Sequence, residues 1–594
     1  MRRLLTDSSS NMKLAITVVA CVVAAPVLMA ASAEELWSVQ RISSPPVPVV
    51  RGDDWSRTAV DRFILAKLRE HRLQPQPEAD RHALIRRVTL GLTGLPPAIE
   101  EVRSFVSDTK PQAYERLVDR LLKSPRFGER WGRHWLDVVR FGESKGALTV
   151  DQDRVRGDAF KFRDAVIRAT NEDVPFDRFV RMHLDESNTP AEFEPLRQFI
   201  HLGTQLQDNA DPNDKQFHRL NDMVSTTGLA FLGISFGCAR CHDHPVDPMS
   251  TEEYYQFTAT FFDQVREAPK ASSKKIPLRI TEPRVLRNGS WQSPGEAVTP
   301  GFLRVISSRE NDHWLGQAES RLGALGQWLT DAEHGAGELM ARVIVNRVWH
   351  YHFGQGLVQT PNDFGRQGAA PTHPELLDFL ARRLIEGGWR LKPIHRLILT
   401  SAVYRQGGTS ETGALEMDAG NTLLWHWQPR RLEAEAIRDQ LLFVAGELRP
   451  KMYGPSIPIG DFRKRVRDEP KSWRRSVYLQ VRRSVEHPTL SLFDTPDTDQ
   501  SVGRRTTGAT AEGALFALNA PFVWDLAKRL AKRVEAEAGT DPAQQVGYLY
   551  HLALSRPPTS PEVEIGLGLL DGSDQDLAKY CQLLLGLNEF LYVN

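Results

Sequence analysis

Apolar positions recur at helical spacing through most of the chain. Val60, Phe63, Ile64 and Leu68 fall at i, i+3, i+4 and i+8, and Leu84, Ile85, Val88 and Leu92 repeat the stripe until Gly94 and Pro96-Pro97 stop it. The same reading predicts helices over 99–105, 114–122 and 128–141, the last with Trp131, Trp135 and Val138 on one side. A polar, proline-containing stretch at 185–197 reads as a loop. Helices over 217–236 and 252–262 then flank the cysteines at 238 and 241. From 266 to about 299 the periodicity disappears and Pro, Ser, Lys and Gly accumulate, with a short strand at 278–280. Helices resume over 313–331, 339–352, 374–386, 391–404 and 432–444, and three more follow residues 511, 542 and 561. Val477, Leu479 and Val481 alternate as a strand would. The pattern predicts a mainly α protein: two packed helical domains with minor β structure and long irregular linkers.

The domains divide as 34–54, an extended N-terminal arm; 55–265, a helical domain holding the cysteine motif; 266–312, a linker; and 313–594, a second helical domain. Residues 1–33 read as a secretory signal. Arg2, Arg3 and Lys13 precede an apolar run over 14–29, which ends at the small residues Ala31-Ser32-Ala33. That run is shorter than the ~20 residues a membrane span needs, and no later segment approaches it, so no transmembrane helix is expected in the mature chain. The expected location is periplasmic or otherwise exported. Val18-Val19-Ala20-Cys21 loosely matches a lipoprotein box, which would make Cys21 a lipidated terminus.

Composition narrows the classes. A chain of 594 residues exceeds what one core usually serves. Lys plus Arg and Asp plus Glu both number 75, which argues against a dedicated nucleic-acid binder. With the signal removed, Cys238, Cys241 and Cys581 remain, too few for a disulfide scaffold.

Cys238-Ala239-Arg240-Cys241-His242 has the attachment spacing of a c-type haem. Two thiols add across the vinyl groups, and the adjacent imidazole becomes the proximal iron ligand. One covalent haem c is the expected cofactor. Two other readings stay open: a disulfide between Cys238 and Cys241, or a zinc ion on Cys238, Cys241 and His244 at C-x2-C-x2-H spacing. There is no Gly-rich phosphate loop, G-x-S-x-G elbow or H-E-x-x-H.

Longer motifs surround the cysteines: Asp222-Met223-Val224-Ser225-Thr226-Thr227-Gly228, Phe231-Leu232-Gly233, Gly237 through His244, Asp247-Pro248 and Tyr254-Tyr255. With Leu92 through Pro97, and Gly128 through Trp131 and Arg133 through Arg140, they resemble the planctomycete cytochrome-c-like domain, domain of unknown function 1549. Asn346 through Trp349, Phe353-Gly354, Asp363-Phe364-Gly365, His373 through Leu377, Arg431 through Glu435 and Asn588-Glu589-Phe590 resemble its companion, domain of unknown function 1553. The resemblance implies an exported c-type cytochrome. Many members carry a further N-terminal cytochrome domain that this sequence lacks, so a longer electron route would need a partner protein. Pro245-Val246 and Met249 depart from the usual pattern.

A sixth iron ligand would come from a separate segment, with His134 and Met223 as candidates. Met249, seven residues past His242, leaves little chain to reach the opposite haem face. Arg130, Arg133, Asp137 and Arg140 form one stripe beside His134, suited to haem propionates or an anionic substrate, with Asp137 placed to orient His134. The competing reading is a solvated face laced with ion pairs. His244 and Asp247 are a polar pair near the motif, or a turn cap. Arg347, Trp349, Asp363 and His373 either line a cleft facing the first domain or serve as core and helix-opening residues. His134, Asp137, Arg140 and His244 are therefore the catalytic candidates. The expected function is electron transfer or an oxidoreductase activity on a small substrate, with extracellular carbohydrate breakdown as its setting. The alternative is a binding or scaffold protein in which haem or zinc is structural.

Overall fold

Helix-starting chemistry is explicit along the first half. Thr58 and Asp61 form a capping box at Ala59–Glu70, and the Asp80 carboxylate accepts from the His82 and Ala83 amides to open Arg81–Thr93. Gly94, left-handed at φ 66°, ends that helix. Ser124 and Pro125 open Pro125–Val138, in which every residue from Phe127 onward is buried. A helix with Arg130, Arg133, His134 and Asp137 all inside must satisfy its charges internally, so the solvated-face reading fails for those four residues.

The computed structural model describes residues 36–594, apart from 147–152, 186, 188, 208, 266–277, 409–411, 460–467, 507, 509–510 and 571–575. The expected signal peptide, with Cys21, lies outside the described residues, as does 266–277 of the expected linker.

The fold is mainly α. Its described sheets are two antiparallel pairs, Arg284–Leu286 with Pro294–Ala297 and Arg430–Arg431 with Tyr592–Val593. The expected strands are elsewhere or absent: Leu278 to Ile280 is irregular, and Val477 lies in a 3-10 turn, Ser476–Tyr478. Its alternation reflects a buried turn, with Leu479 making a single parallel bridge to Ile457. Helices Phe160–Asn171 and Phe176–Leu184 arise from a stretch with no assigned stripe. The expected 391–404 helix divides at Thr400, where Ser401 caps a short second piece, Ala402–Arg405.

One hydrophobic cluster runs through both halves, from Val60 to Val593. Arg87 shows how closely they join: its guanidinium donates to the carbonyls of Tyr404, Gln406 and the C-terminal Asn594. The arm crosses the second half, where Arg342 donates to the carbonyls of Ser38 and Gln40, and Trp37 packs on Phe364. Among the described residues no helix is long and apolar enough to cross a membrane.

Candidate functional site

The cysteine turn is set by its approach. Pro212–Thr227 runs into a π-turn, Gly228–Leu232, which Gly233 ends at φ 61°. Phe236 then packs edge-on against Phe257, and Ala239 is fully buried, pinning the 3-10 turn Gly237–Arg240. The Tyr255 hydroxyl donates to the Arg240 carbonyl at 2.9 Å. On this turn Cys238 is exposed, Cys241 is half-buried, and both thiols are free. His242 is exposed, and its Nδ1 lies 2.8 Å from the Asp243 carbonyl oxygen. A carbonyl can only accept, so Nδ1 carries the proton and the neutral ring keeps its lone pair on Nε2. That is the arrangement a metal-ligating imidazole takes, and it fits the requirement of a c-type haem. Gly289, at φ 70°, closes over the turn: a Cβ there would stand 2.8 Å from Cys241 Sγ.

His244 has the opposite arrangement. Its Nδ1 accepts the Asp247 amide at 2.8 Å, so a neutral ring carries its proton on Nε2 and has no lone pair left for a metal. Among the described residues no group of three His, Cys, Asp or Glu side chains is gathered around a metal position, which leaves the zinc reading without support. Asp247 and His244 form the turn cap. Met249 is buried, its carbonyl accepting the His244 amide.

The second half clamps this loop from both sides. The Arg347 guanidinium is buried and donates to the carbonyls of Ala230 and Leu229 in the π-turn, and to Asn362 Oδ1 at 3.0 Å. The Phe364 amide donates to the Gly233 carbonyl at 2.7 Å, and the Arg366 amide to Asp247 Oδ1 at 2.8 Å. Gly365 lies so near that a Cβ would meet Asp247 Oδ2 at 2.5 Å. Burial pushes the Asp363 carboxyl up, and the neighbouring Asp247 adds to the effect. Arg347 and Asp363 thus face the cysteine loop. Trp349 is core, stacked on Phe353, and His373 precedes the Pro374–Glu386 helix.

The arginine stripe meets acidic residues of the second half. Arg130 pairs with Glu433 at 2.6 Å, and Arg133 with Glu435 and Asp137, both at 2.8 Å. Arg505 bridges Asp137 at 2.6 Å and Glu435 at 2.5 Å. His134 is 3.2 Å from both Glu433 oxygens and lies flat on Tyr351, with ring centroids 3.7 Å apart. Asp137 therefore serves Arg133 and Arg505, and Glu433 is the residue that orients His134. Arg140, at φ 50°, leaves the stripe and holds Asp222 with two bonds. Its neighbour Met223 is in the core.

Burial, partly offset by Glu433, lowers the His134 pKa to about 4, and burial lowers those of His350 and His395 to about 3. His352 Nε2 meets His395 Nδ1 at 2.8 Å, and the Trp131 ring lies against both. Sequence reasoning missed Arg505 and these histidines. They carry no local signal, although Glu433 and Glu435 stand within a recognised motif.

Residues 59–267 match the family model described as a protein of unknown function, DUF1549, and residues 321–570 match the one described as a protein of unknown function, DUF1553. No curated protein and no solved structure matches the chain. Residues of the second segment clamp the cysteine loop and neutralise the stripe of the first, and the chain carries a DUF1549 segment followed by a DUF1553 segment.

Proposed function

We propose that the protein is an exported haem c protein that exchanges electrons with a partner. Cys238 and Cys241 would form the two thioether links, and His242 Nε2 would bind the iron. When bound, the group supplies a one-electron redox centre. The observation that carries this reading is the state of the turn: two free thiols, and an imidazole held through Nδ1 with Nε2 unspent. The exposure of Cys238 and His242 favours exchange with a docking protein over chemistry in a sealed chamber. His134 is committed to Glu433 and Tyr351, which disfavours it as a second ligand to the iron.

The test is expression from the full sequence alongside the haem-attachment apparatus. A denaturing gel stained for haem and a reduced pyridine spectrum should both show one covalent group. Cys238→Ala with Cys241→Ala should abolish the stain. Soluble, processed protein without covalent haem would overturn the proposal. Met223→Ala should change the iron spectrum if the thioether is a ligand, and His134→Ala should leave it unchanged.

A further inference from the structure

Cys238 and Cys241 share one turn but differ in access, the first exposed and the second half-buried. A later hairpin lies over the second. Its strands, Arg284–Leu286 and Pro294–Ala297, pair antiparallel, and the tip between them, 287–293, is closed by the Arg287 amide on the Ser293 carbonyl and the Ser290 amide on the Arg287 carbonyl. At the tip Gly289 lies across the cysteine turn. A Cβ on it would stand 2.8 Å from Cys241 Sγ and 3.2 Å from Arg240 Nε, so only a residue without a side chain fits there.

The base of the hairpin is anchored and the tip is not. Leu286 is buried at the base, whereas no residue of the tip is: Arg287, Asn288, Gln292 and Ser293 are exposed, and Gly289, Ser290 and Trp291 are half-buried. Trp291 grips the tip. Its indole Nε1 donates to Asp214 Oδ1 at 2.7 Å, and the Arg279 guanidinium lies 5.3 Å from its ring centroid. Asp214 is itself exposed, in the first turn of Pro212–Thr227. A segment with little buried apolar surface, held by one exposed hydrogen bond and a stacked cation, opens at a small fraction of the free energy that unfolds the helices beneath it.

We propose that this tip is a strap that orders the chemistry of the two thiols: Cys238 reacts while the strap is down, and Cys241 reacts when it lifts. The inference rests on the haem reading only for what the thiols meet. There each link would form a sulfur–carbon bond as a vinyl π bond breaks, the thiol proton passing to the other vinyl carbon, with Cys238 making the first link and Cys241 the second.

The test uses the full chain, made without the haem-attachment apparatus and kept reduced. Labelling by iodoacetamide is followed at each cysteine by peptide mass spectrometry, and the rate for the same cysteine in the urea-unfolded chain is divided by the folded rate to give its protection. Cys241 should be protected at least about tenfold more than Cys238. Trp291→Phe keeps a ring but removes the bond to Asp214. It should lower Cys241 protection about fivefold, the weight of one hydrogen bond in the opening equilibrium, and leave Cys238 unchanged. Asp214→Ala should do the same from the other side, and the two changes together should do no more than either alone. Cys581, fully buried, should stay unlabelled in every variant and so reports that each is folded. Equal protection of Cys238 and Cys241, a Cys241 rate indifferent to both variants, or equal gains at both cysteines would overturn the proposal. A chain without haem on the stained gel would fail the haem reading alone, since these rates are read without haem.

Discussion

Arg505 stands where three carboxylates meet. With Arg130 and Arg133 it balances Asp137, Glu433 and Glu435, three positive groups against three negative ones, all nearly sealed from solvent. Burial pushes all three carboxyls up. The arginines more than reverse this for Glu433 and Glu435, while Asp137 stays raised. Arg505→Met should therefore cost about 3–5 kcal/mol, because carboxylates stay buried without their cation. Urea unfolding measures it, and Arg505→Met combined with Glu435→Met should lose much less than the sum of the single changes. Additive losses would show that the groups are not one unit. A second residue-scale prediction concerns Gly289, whose positive φ and contact with Cys241 Sγ both exclude a side chain. On the proposed haem attachment, Gly289→Ala should lower the fraction of chains carrying covalent haem on a stained gel. Gly52→Ala, with a similar φ of 63° but open space around it, should not.

At the scale of elements, the cysteine loop is held by parts remote in sequence, and Arg347 is the principal tie. A planar fork serves two π-turn carbonyls and Asn362 together, which a lysine cannot do. Arg347→Lys should cost about 2–3 kcal/mol, within the range for buried charge-assisted bonds. It should also speed amide exchange over 228–245 while leaving Pro542–Leu554 protected; uniform loosening of both would refute a local tie. These elements also show what the sequence reveals. Apolar stripes with strong stop signals mark helices well: Pro374–Glu386 matches its expected bounds, because proline opens it and Gly387-Gly388 follow. The cysteine spacing marks the turn, and motif resemblance marks Arg347 and Asp363 as residues of interest. What the sequence does not reveal is pairing. Arg133 and Asp137 form a stripe that looks solvated, since nothing local shows that Glu435 and Arg505 lie opposite. Likewise, Val477 and Leu479 alternate like a strand although a 3-10 turn buries them.

For the whole molecule, buried neutral histidines tie stability to pH. His134, His183, His373 and His487 are lowered to about 4, and His350 and His395 to about 3. His352 is also held well below its usual range; burial is the leading cause in every case. An unfolded chain protonates these rings near 6.5, so between roughly pH 6.5 and 4 it binds more protons than the folded one, and stability must rise with pH there. Glu433 and Glu435, depressed on folding, act in the same direction at the acid end of that window. Glu143, raised to about 7 by burial, opposes them, as do Asp61, Asp137, Asp363 and Asp439, which burial also raises, but these are five groups against seven histidines, and the four aspartates act at the acid end of the window. The thermal midpoint should accordingly be nearly flat above pH 7.5 and fall steeply below 6.5. Each histidine contributes up to ~1.4 kcal/mol per pH unit. Four of the seven, His134, His350, His352 and His395, lie where helices of the two halves meet, so acid should separate the halves before the terminal helices melt. Calorimetry with amide exchange across pH 4.5 to 7.5 measures both effects, and a midpoint that holds or rises on acidification would refute the neutral-histidine account.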